Sequence, residues 1–236
     1  MPQEPMRAAT DVLVIGSGAA GMYAAIEAAC GGCQVILADR SLIGRGGATV
    51  MAQMTVAVAL GSETADHWSY HYSDTLTAGR GLCNEPLAQL LCEDGPECIR
   101  AMDDWGIGWA RKDGRIVQAM APGHDRPRCV YVDFLNTGPA VSKTLRTVVN
   151  KSGGIRKAGD LCVVDLLHDK GDVVGAAAKH QCLRNSVAGK TVGAIGATDR
   201  FARNEQAWQS GLHIRIGNDA THVVVRDWRY LDRHFC

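Results

Sequence analysis

The sequence lacks an excess of charge of either sign. Lys and Arg together number 25, Asp and Glu together also number 25, and the formal net charge at pH 7 is +0. Nucleic acids and anionic membranes are held by summed positive fields, and a chain with balanced charges has no such field. We therefore expect a small-molecule ligand.

Long hydrophobic runs are also missing. No uninterrupted apolar stretch approaches the roughly 20 residues that cross a bilayer, and residues 1–10 contain no apolar signal core. We therefore expect a cytoplasmic protein without a transmembrane segment. Hydrophobic residues make up 46% of the 236 positions, which is enough for the core of one sizeable domain or two small ones.

Cysteine is present, but the pattern of a metal or disulfide framework is not. The chain has 9 cysteines, an odd number, and most of them lie in apolar segments, as buried thiols do. Cys30 and Cys33 form a CxxC pair with no second CxxC after it. We interpret them as flanking a helix end, because Gly31 and Gly32 suit the positive φ found there; a redox pair or half a metal site is the alternative.

A strand, a helix and a second strand are predicted near the N-terminus. Residues 11–16 (DVLVIG) form a short β-branched apolar run ending in glycine, and residues 34–38 (QVILA) form another. Between them, Ala19–Cys30 is rich in alanine with apolar residues at helical spacing. Together they have the size of a βαβ unit.

The remaining elements are predicted from local patterns. Residues 85–105 indicate two helices broken at Gly95 and Pro96, and residues 137–149 indicate another helix. A DG turn precedes a short strand within 112–120, and two strands at 161–167 and 172–178 flank a turn. The stretch 44–60 has no secure assignment.

His67 and His71 are spaced as a metal pair on a helix would be, but without a third ligand we favour a surface or packing role.

A glycine signature lies between the first strand and the helix. Gly16, Gly18 and Gly21 form GxGxxG, in which the three glycines allow a tight turn, close approach of a diphosphate and close packing of helix on strand. The start of the helix then offers backbone N–H groups to the phosphates. Asp39 ends the second strand, where this fold places an acidic residue that binds ribose hydroxyls. The pattern predicts a dinucleotide site, with NAD and FAD both open at this point.

The segment after the second strand resembles the flavin loop of one flavoprotein family. Residues 41–53 read SLIGRGGATVMAQ and are similar to the loop of fumarate reductases, succinate dehydrogenases and aspartate oxidases. The likeness continues through LTAGRGLCNEPLAQLLCEDGPECIRAMDDWGIGW, PGHDRPRCVYVD, NTGPAVSKTL and GDLCVVDLLHDKGDVVGA, over roughly residues 10 to 178.

The resemblance implies a fold, a cofactor and a reaction. It implies an α/β fold, a Rossmann-like FAD-binding domain with a parallel sheet, incomplete relative to the family, with residues 1–178 as its N-terminal part. Hydride would pass between FAD and a small dicarboxylate such as succinate or fumarate. An iron–sulfur electron-transfer subunit is an implied partner, through which the protein would sit peripherally on the cytoplasmic membrane face. The cofactor-binding residues carried over or read from the glycine signature are Gly16, Ser17, Gly18, Ala19, Ala20, Gly21, Asp39, Arg40, Gly46, Gly47, Thr49, Ala52 and Gln53.

The sequence also departs from the family. Members that tether FAD covalently carry a His just before the Thr of the loop; here that place is Ala48, so noncovalent FAD is expected. Met54 and Thr55 stand where the family has two glycines. Residues 193–198 (GAIGAT) match poorly to the family's Ala-Thr-Gly-Gly, and we predict that 179–236 is an atypical tail, truncated or poorly ordered.

Candidate substrate residues lie in the segment GHDRPRC. His124, Arg126 and Arg128 are candidates for holding a carboxylate, which a guanidinium meets with two parallel hydrogen bonds. A polar loop whose cations are merely solvated explains them equally well. The catalytic residues themselves stay unassigned. Two further functions stay open, namely a dinucleotide-binding fragment without catalysis and an NAD-dependent dehydrogenase.

Overall fold

A computed structural model of the protein describes residues 7–53, 55–133, 135–170 and 172–180, and the backbone of three strands at 192–197, 211–216 and 221–226. The chain divides into two compact units. The first unit comprises Met1–Val50 with Leu145–Cys236, and the second comprises Met51–Thr144. Among the described residues no helix combines the length and the apolar character needed to cross a membrane.

The described elements include four α-helices and thirteen strands. The helices are α1 Ala19–Cys30, α2 Trp68–Gly79, α3 Glu85–Asp104 and α4 Thr137–Lys151. The strands are β1 Arg7–Thr10, β2 Val12–Ile15, β3 Val35–Ala38, β4 Val56–Ala57, β5 Arg111–Lys112, β6 Arg115–Ile116, β7 Cys129–Val130, β8 Ile155–Ala158, β9 Leu161–Asp169, β10 Asp172–His180, β11 Val192–Ala197, β12 Gly211–Ile216 and β13 Thr221–Arg226.

The first unit contains the predicted βαβ unit. Its five-stranded sheet has the order β12-β13-β2-β3-β8, in which β2, β3 and β8 are parallel and β13 is antiparallel to β2. All four residues of β3 are buried, as expected for a strand covered on both faces. Helix α1 packs on this sheet with Met22 and Ala25, both fully buried. The α/β fold with a parallel sheet is therefore confirmed.

A second sheet in the same unit has the order β1-β11-β10-β9. Strands β9 and β10 contain the two predicted strands and pair antiparallel, and Lys170 in the turn between them has a φ of 49°. Strand β1 pairs in parallel with β11. No local sequence pattern predicts β1. The strand is stabilised by pairing with β11, which lies far along the chain.

The second unit corrects the prediction of two helices at residues 85–105. Helix α3 is continuous over Glu85–Asp104 with Pro96 inside it. Proline and glycine weaken a helix interior, but packing decides here, since Cys92 and Ile99, two turns apart, bury one face of the helix. Gly95 also lets the helix approach Val58, whose Cγ2 would lie 3.2 Å from an added Cβ.

Smaller elements agree with their sequence patterns. The DG turn joins β5 to β6 with φ of 50° at Asp113 and 79° at Gly114, the two positive values that a tight hairpin turn needs. Helix α4 covers the predicted 137–149. Helix α1 ends at Cys30 and is followed by Gly32 with a φ of 83°, which is the turn expected between the two cysteines.

The predicted tail at 179–236 lies mostly outside the described residues. Strand β10 continues to His180, and beyond it the structure describes only the backbone of β11, β12 and β13. The domain boundary at residue 178 stays a prediction.

Candidate functional site

The three glycines lie at the junction of β2 and α1. Gly16 has a φ of 101°, and its N–H donates to the carbonyl of Ala38 at 2.7 Å, which ties the turn to the end of β3. A Cβ added to Gly21 would lie 1.9 Å from the carbonyl oxygen of Gly16. Helix and turn are therefore closer together than any side chain at residue 21 would permit.

The start of α1 is open to an anion. Gly18 is the N-cap and has no side chain to cap the helix, and no acidic residue lies in the first turn. The N–H of Ala19 donates to Oγ1 of Thr49 at 2.9 Å, and the same oxygen would lie 3.4 Å from a Cβ on Gly18. Because this hydroxyl accepts from the helix, its own proton is left to donate to a ligand. A phosphate here would also meet the positive end of the helix dipole.

Asp39 is bound on both oxygens from within the protein. Its Oδ2 accepts from the backbone N and Oγ of Ser17, both at 2.6 Å, and its Oδ1 accepts from the backbone N and Oγ of Ser41, both at 2.8 Å. Burial would raise the pKa of Asp39, but these hydrogen bonds outweigh it and hold the pKa below its ordinary value.

The loop that follows β3 is anchored through Ser17. The hydroxyl of this fully buried serine accepts from the N–H of Gly44 at 2.8 Å, and Nη1 of Arg146 donates to the Gly44 carbonyl at 2.8 Å. Gly46 passes close to Ser41, whose Oγ would lie 2.6 Å from an added Cβ. The glycines let the loop fold back on itself.

Other predicted cofactor residues are more exposed. Arg40 and Gly47 lie on the surface of the first unit, and Gly47 has a φ of 79°. Ala52 and Gln53 belong to the second unit and are exposed, and the carbonyl of Ala52 accepts from the N–H of Gly138 at 2.7 Å. The contacts of these residues with a cofactor stay predictions.

Arg128 lies in an ion-pair cluster of the second unit, fully buried. Its Nε and Nη2 form a fork on Asp66 at 2.7 and 3.1 Å, Nη2 also donates to Asp125 at 3.0 Å, and Nη1 donates to Asp74. A substrate carboxylate would have to displace one of these three aspartates. The substrate role of Arg128 stays a prediction, and these contacts favour a structural one.

His124 lies beside His71 in the same unit. Their ring centroids are 5.7 Å apart, and Nδ1 of each ring is buried without a hydrogen-bond partner. Burial lowers the pKa of His71, as do the charges of Arg128 and His124. His67 instead caps α2 by accepting from the N–H of Ser69, so that the two histidines of the predicted pair serve different contacts.

Comparison with known proteins identifies the family. The model of the FAD binding domain family matches residues 11–233, and the chain belongs to this family. Its cofactor is FAD, which decides against the NAD alternative. The family match extends beyond residue 178, where the resemblance seen in the sequence stops.

Individual relatives agree with this assignment. L-aspartate oxidase of Streptomyces coelicolor is 33% identical over 162 residues, covering 68% of this chain and 27% of the relative. The fumarate reductase flavoprotein subunit of Proteus vulgaris is 30% identical, covering 95% of this chain and 38% of the relative. The chain thus spans between 27% and 38% of the length of these curated relatives.

Solved structures show the same fold. The Mycobacterium smegmatis Sdh1 complex in the apo form superposes with a TM-score of 0.74 at 29% identity, covering 81% of this chain and 33% of that one. E. coli quinol fumarate reductase superposes with a TM-score of 0.73 at 25% identity, covering 81% of this chain and 32% of that one.

The residues of the first unit fit the diphosphate of FAD. The donors at the start of α1 and the Thr49 hydroxyl suit an anion, and Gly18 leaves room for it. Sequence reasoning found these residues from the motif and the loop resemblance. It missed Ser41, although an Asp side chain commonly accepts from the backbone N–H two residues on in a local Asx turn.

Proposed function

We propose that this chain binds FAD noncovalently and forms the N-terminal part of the flavin domain of an oxidoreductase that transfers hydride between FAD and a small dicarboxylate. The observation that carries the proposal is the start of α1, where Gly18 contributes no capping side chain and the Thr49 hydroxyl accepts from the Ala19 N–H at 2.9 Å. FAD, when bound, supplies hydride acceptance and donation at its flavin ring.

The residues of this chain bind and orient the cofactor. Gly16, Gly18 and Gly21 keep the backbone close enough for the diphosphate to meet the helix N–H groups. The Thr49 hydroxyl donates to a phosphate oxygen while it accepts from Ala19. Gly46 and Gly47 let the loop lie against the ligand. The attachment is noncovalent because Ala48 has no nucleophilic side chain where some relatives carry a tethering His.

The substrate and the electron partner are proposed from the relatives. An aspartate oxidase and a fumarate reductase flavoprotein subunit are both similar to this chain, and aspartate and fumarate are both dicarboxylates. An iron–sulfur subunit as electron partner follows from the family resemblance, as does a peripheral cytoplasmic location. These assignments concern the whole protein. The chain spans 27% to 38% of the length of these two relatives.

Flavin content tests the proposal. The purified chain is titrated with FAD, and bound flavin is measured by its visible absorbance and by its quenched fluorescence. Acid precipitation should release all flavin into the supernatant. Gly18→Val places a branched side chain against Thr49 and should abolish binding, whereas Gly153→Val, in open space, should not. A chain that takes up no FAD, or flavin retained in the acid pellet, contradicts the proposal.

Turnover separates the enzyme from a second candidate, a module that binds FAD without catalysis. Arg128 favours this candidate, because its guanidinium is already bound by Asp66, Asp74 and Asp125. The FAD-loaded chain is mixed with a reduced dye and fumarate, and oxidation of the dye is followed by absorbance. Fumarate-dependent oxidation supports the enzyme; flavin binding without oxidation supports the module.

A further inference from the structure

Four residues are joined by hydrogen bonds at the carboxyl edge of the parallel sheet, and we name them the Asp39 clasp: Ser17, Asp39, Ser41 and Gly44. Asp39 follows β3, Ser17 follows β2, and Ser41 and Gly44 belong to the next loop. The clasp joins the turn that approaches the diphosphate to the loop that carries Gly46 and Gly47.

The acceptor capacity of Asp39 is used within the clasp. An ionised carboxylate has about four lone-pair positions on its two oxygens. Oδ2 accepts two hydrogen bonds from Ser17, and Oδ1 accepts two from Ser41. Each serine contributes its backbone N–H and its hydroxyl, so the two ends of the carboxylate are held alike. A ribose hydroxyl would have to displace one of these donors.

Displacing a donor would carry a cost inside the protein. The Ser17 side chain is fully buried, and its hydroxyl donates to Asp39 while it accepts from Gly44. A ribose that took the Ser17 position on Oδ2 would leave a buried hydroxyl and a buried N–H without an acceptor. On Oδ1, the bond from the Ser41 N–H is the usual local turn between an Asp and the backbone two positions on. The Ser41 hydroxyl adds the second bond, and it lies 3.4 Å from the carbonyl oxygen of Leu42 as well.

We infer that Asp39 is a positioning residue, which fixes the GSGAAG turn against the loop at 41–47, and that it does not bind the ribose. This inference rests on the proposed function, since it concerns how the FAD site is shaped. It departs from the role that the sequence pattern predicts for an acid at this place. The two roles differ in one measurable way. Only a residue that binds the ribose contributes to the affinity that the ribose hydroxyls add.

The test compares ADP with 2′,3′-dideoxy-ADP, measured by calorimetry on the full chain. ADP carries the adenosine and diphosphate of FAD, and the analogue lacks only the ribose diol. Asp39→Asn should weaken both ligands by the same factor, about tenfold for the loss of a charge-assisted hydrogen bond. The ratio of the two dissociation constants should equal that of the wild type. If the penalty for removing the diol disappears in Asp39→Asn, the inference is overturned.

Two further variants keep the test decisive if Asp39→Asn does not fold. Ser17→Ala removes the hydroxyl between Asp39 and Gly44 and should weaken both ligands equally; unchanged affinity overturns the inference. Asp11→Asn is the matched control, because Asp11 accepts from the Gln34 N–H at 2.8 Å at the opposite edge of the same strands. It should leave the affinity for ADP unchanged, and an equal loss in this variant would also overturn the inference.

The proposed function and the inference fail differently. If the wild-type chain binds neither ADP nor FAD, the proposed function fails, and the positioning role fails with it. If ADP binds but the diol penalty is lost in Asp39→Asn, only the positioning role fails. Thermal unfolding without ligand gives a readout besides binding, since the clasp predicts a lower unfolding temperature for Ser17→Ala than for the wild type.

Discussion

Gly21 offers the sharpest test of how the helix packs on its strand. An added Cβ would lie 1.9 Å from the carbonyl oxygen of Gly16 and 3.0 Å from its carbonyl carbon. Both atoms are backbone, and Gly16 is held by its 2.7 Å hydrogen bond to Ala38. No rotamer change relieves the overlap, so α1 or the turn has to move by about an ångström or more to restore normal contact.

The expected cost of Gly21→Ala follows from two opposing effects. Alanine favours a helix interior by about 1 kcal/mol over glycine. Overpacking against fixed groups costs about 1–3 kcal/mol and sometimes more, and a backbone overlap of this depth belongs at the upper end. The net loss in free energy of unfolding is about 2 kcal/mol, which lowers the unfolding temperature of a domain of this size by about 4–8 °C.

Thermal and urea unfolding followed by circular dichroism measure this loss, and flavin absorbance reports FAD content in parallel. Gly153→Ala is the matched control, since nothing lies within 4 Å of its added Cβ. It should unfold like the wild type. A Gly21→Ala protein with wild-type stability and wild-type flavin content would refute the close packing and the reason for glycine at this position.

Three further predictions concern other parts of the chain. Arg128→Leu should lower the free energy of unfolding by about 3 kcal/mol or more, because the buried Asp66 loses the guanidinium that binds both of its oxygens and keeps only the longer ion pair with Arg126 at 3.7 Å. Arg128→Lys should lose less, and urea unfolding ranks the two variants. The pKa of His71 in the folded chain is lowered from 6.5, so on acidification the unfolded chain binds a proton at this residue before the folded chain does. The free energy of unfolding therefore falls as pH drops below about 6.5. His71→Gln should reduce this fall, measured by urea unfolding between about pH 7 and 5. Asn84→Ala should cost about 1 kcal/mol in thermal unfolding by removing the cap that accepts from the Leu87 N–H, whereas Asn84→Asp should retain it.

The sequence predicts the first unit well where its information is local. An apolar run ending at Gly16, an alanine-rich helix and a second apolar run need only neighbouring residues to be recognised, and β2, α1 and β3 lie where these patterns predict. The turn at Asp113 and Gly114 is likewise predicted by two adjacent residues alone, because an Asp-Gly pair favours a tight hairpin turn. Elements of this kind are stabilised by the same residues that identify them.

Prediction fails where distant contacts decide. Gly95 and Pro96 are local signals for a break, yet α3 continues through them because its buried face and its approach to Val58 outweigh the lost hydrogen bond. Strand β1 is stabilised by β11, and its four residues carry no pattern of their own. Contacts between segments this far apart cannot be predicted from the local patterns of a single sequence.

Arg128 shows how the same limit applies to a site. Its residue type predicts that it will meet a carboxylate, and in the structure it meets Asp66 and Asp74, which lie 62 and 54 positions away. The sequence thus predicts that Arg128 binds a carboxylate. It does not predict whether that carboxylate belongs to a substrate or to an aspartate of the chain, because a guanidinium binds both with the same geometry. Which of the two it binds depends on whether a substrate can reach the guanidinium, and that depends on how distant segments pack around this one side chain.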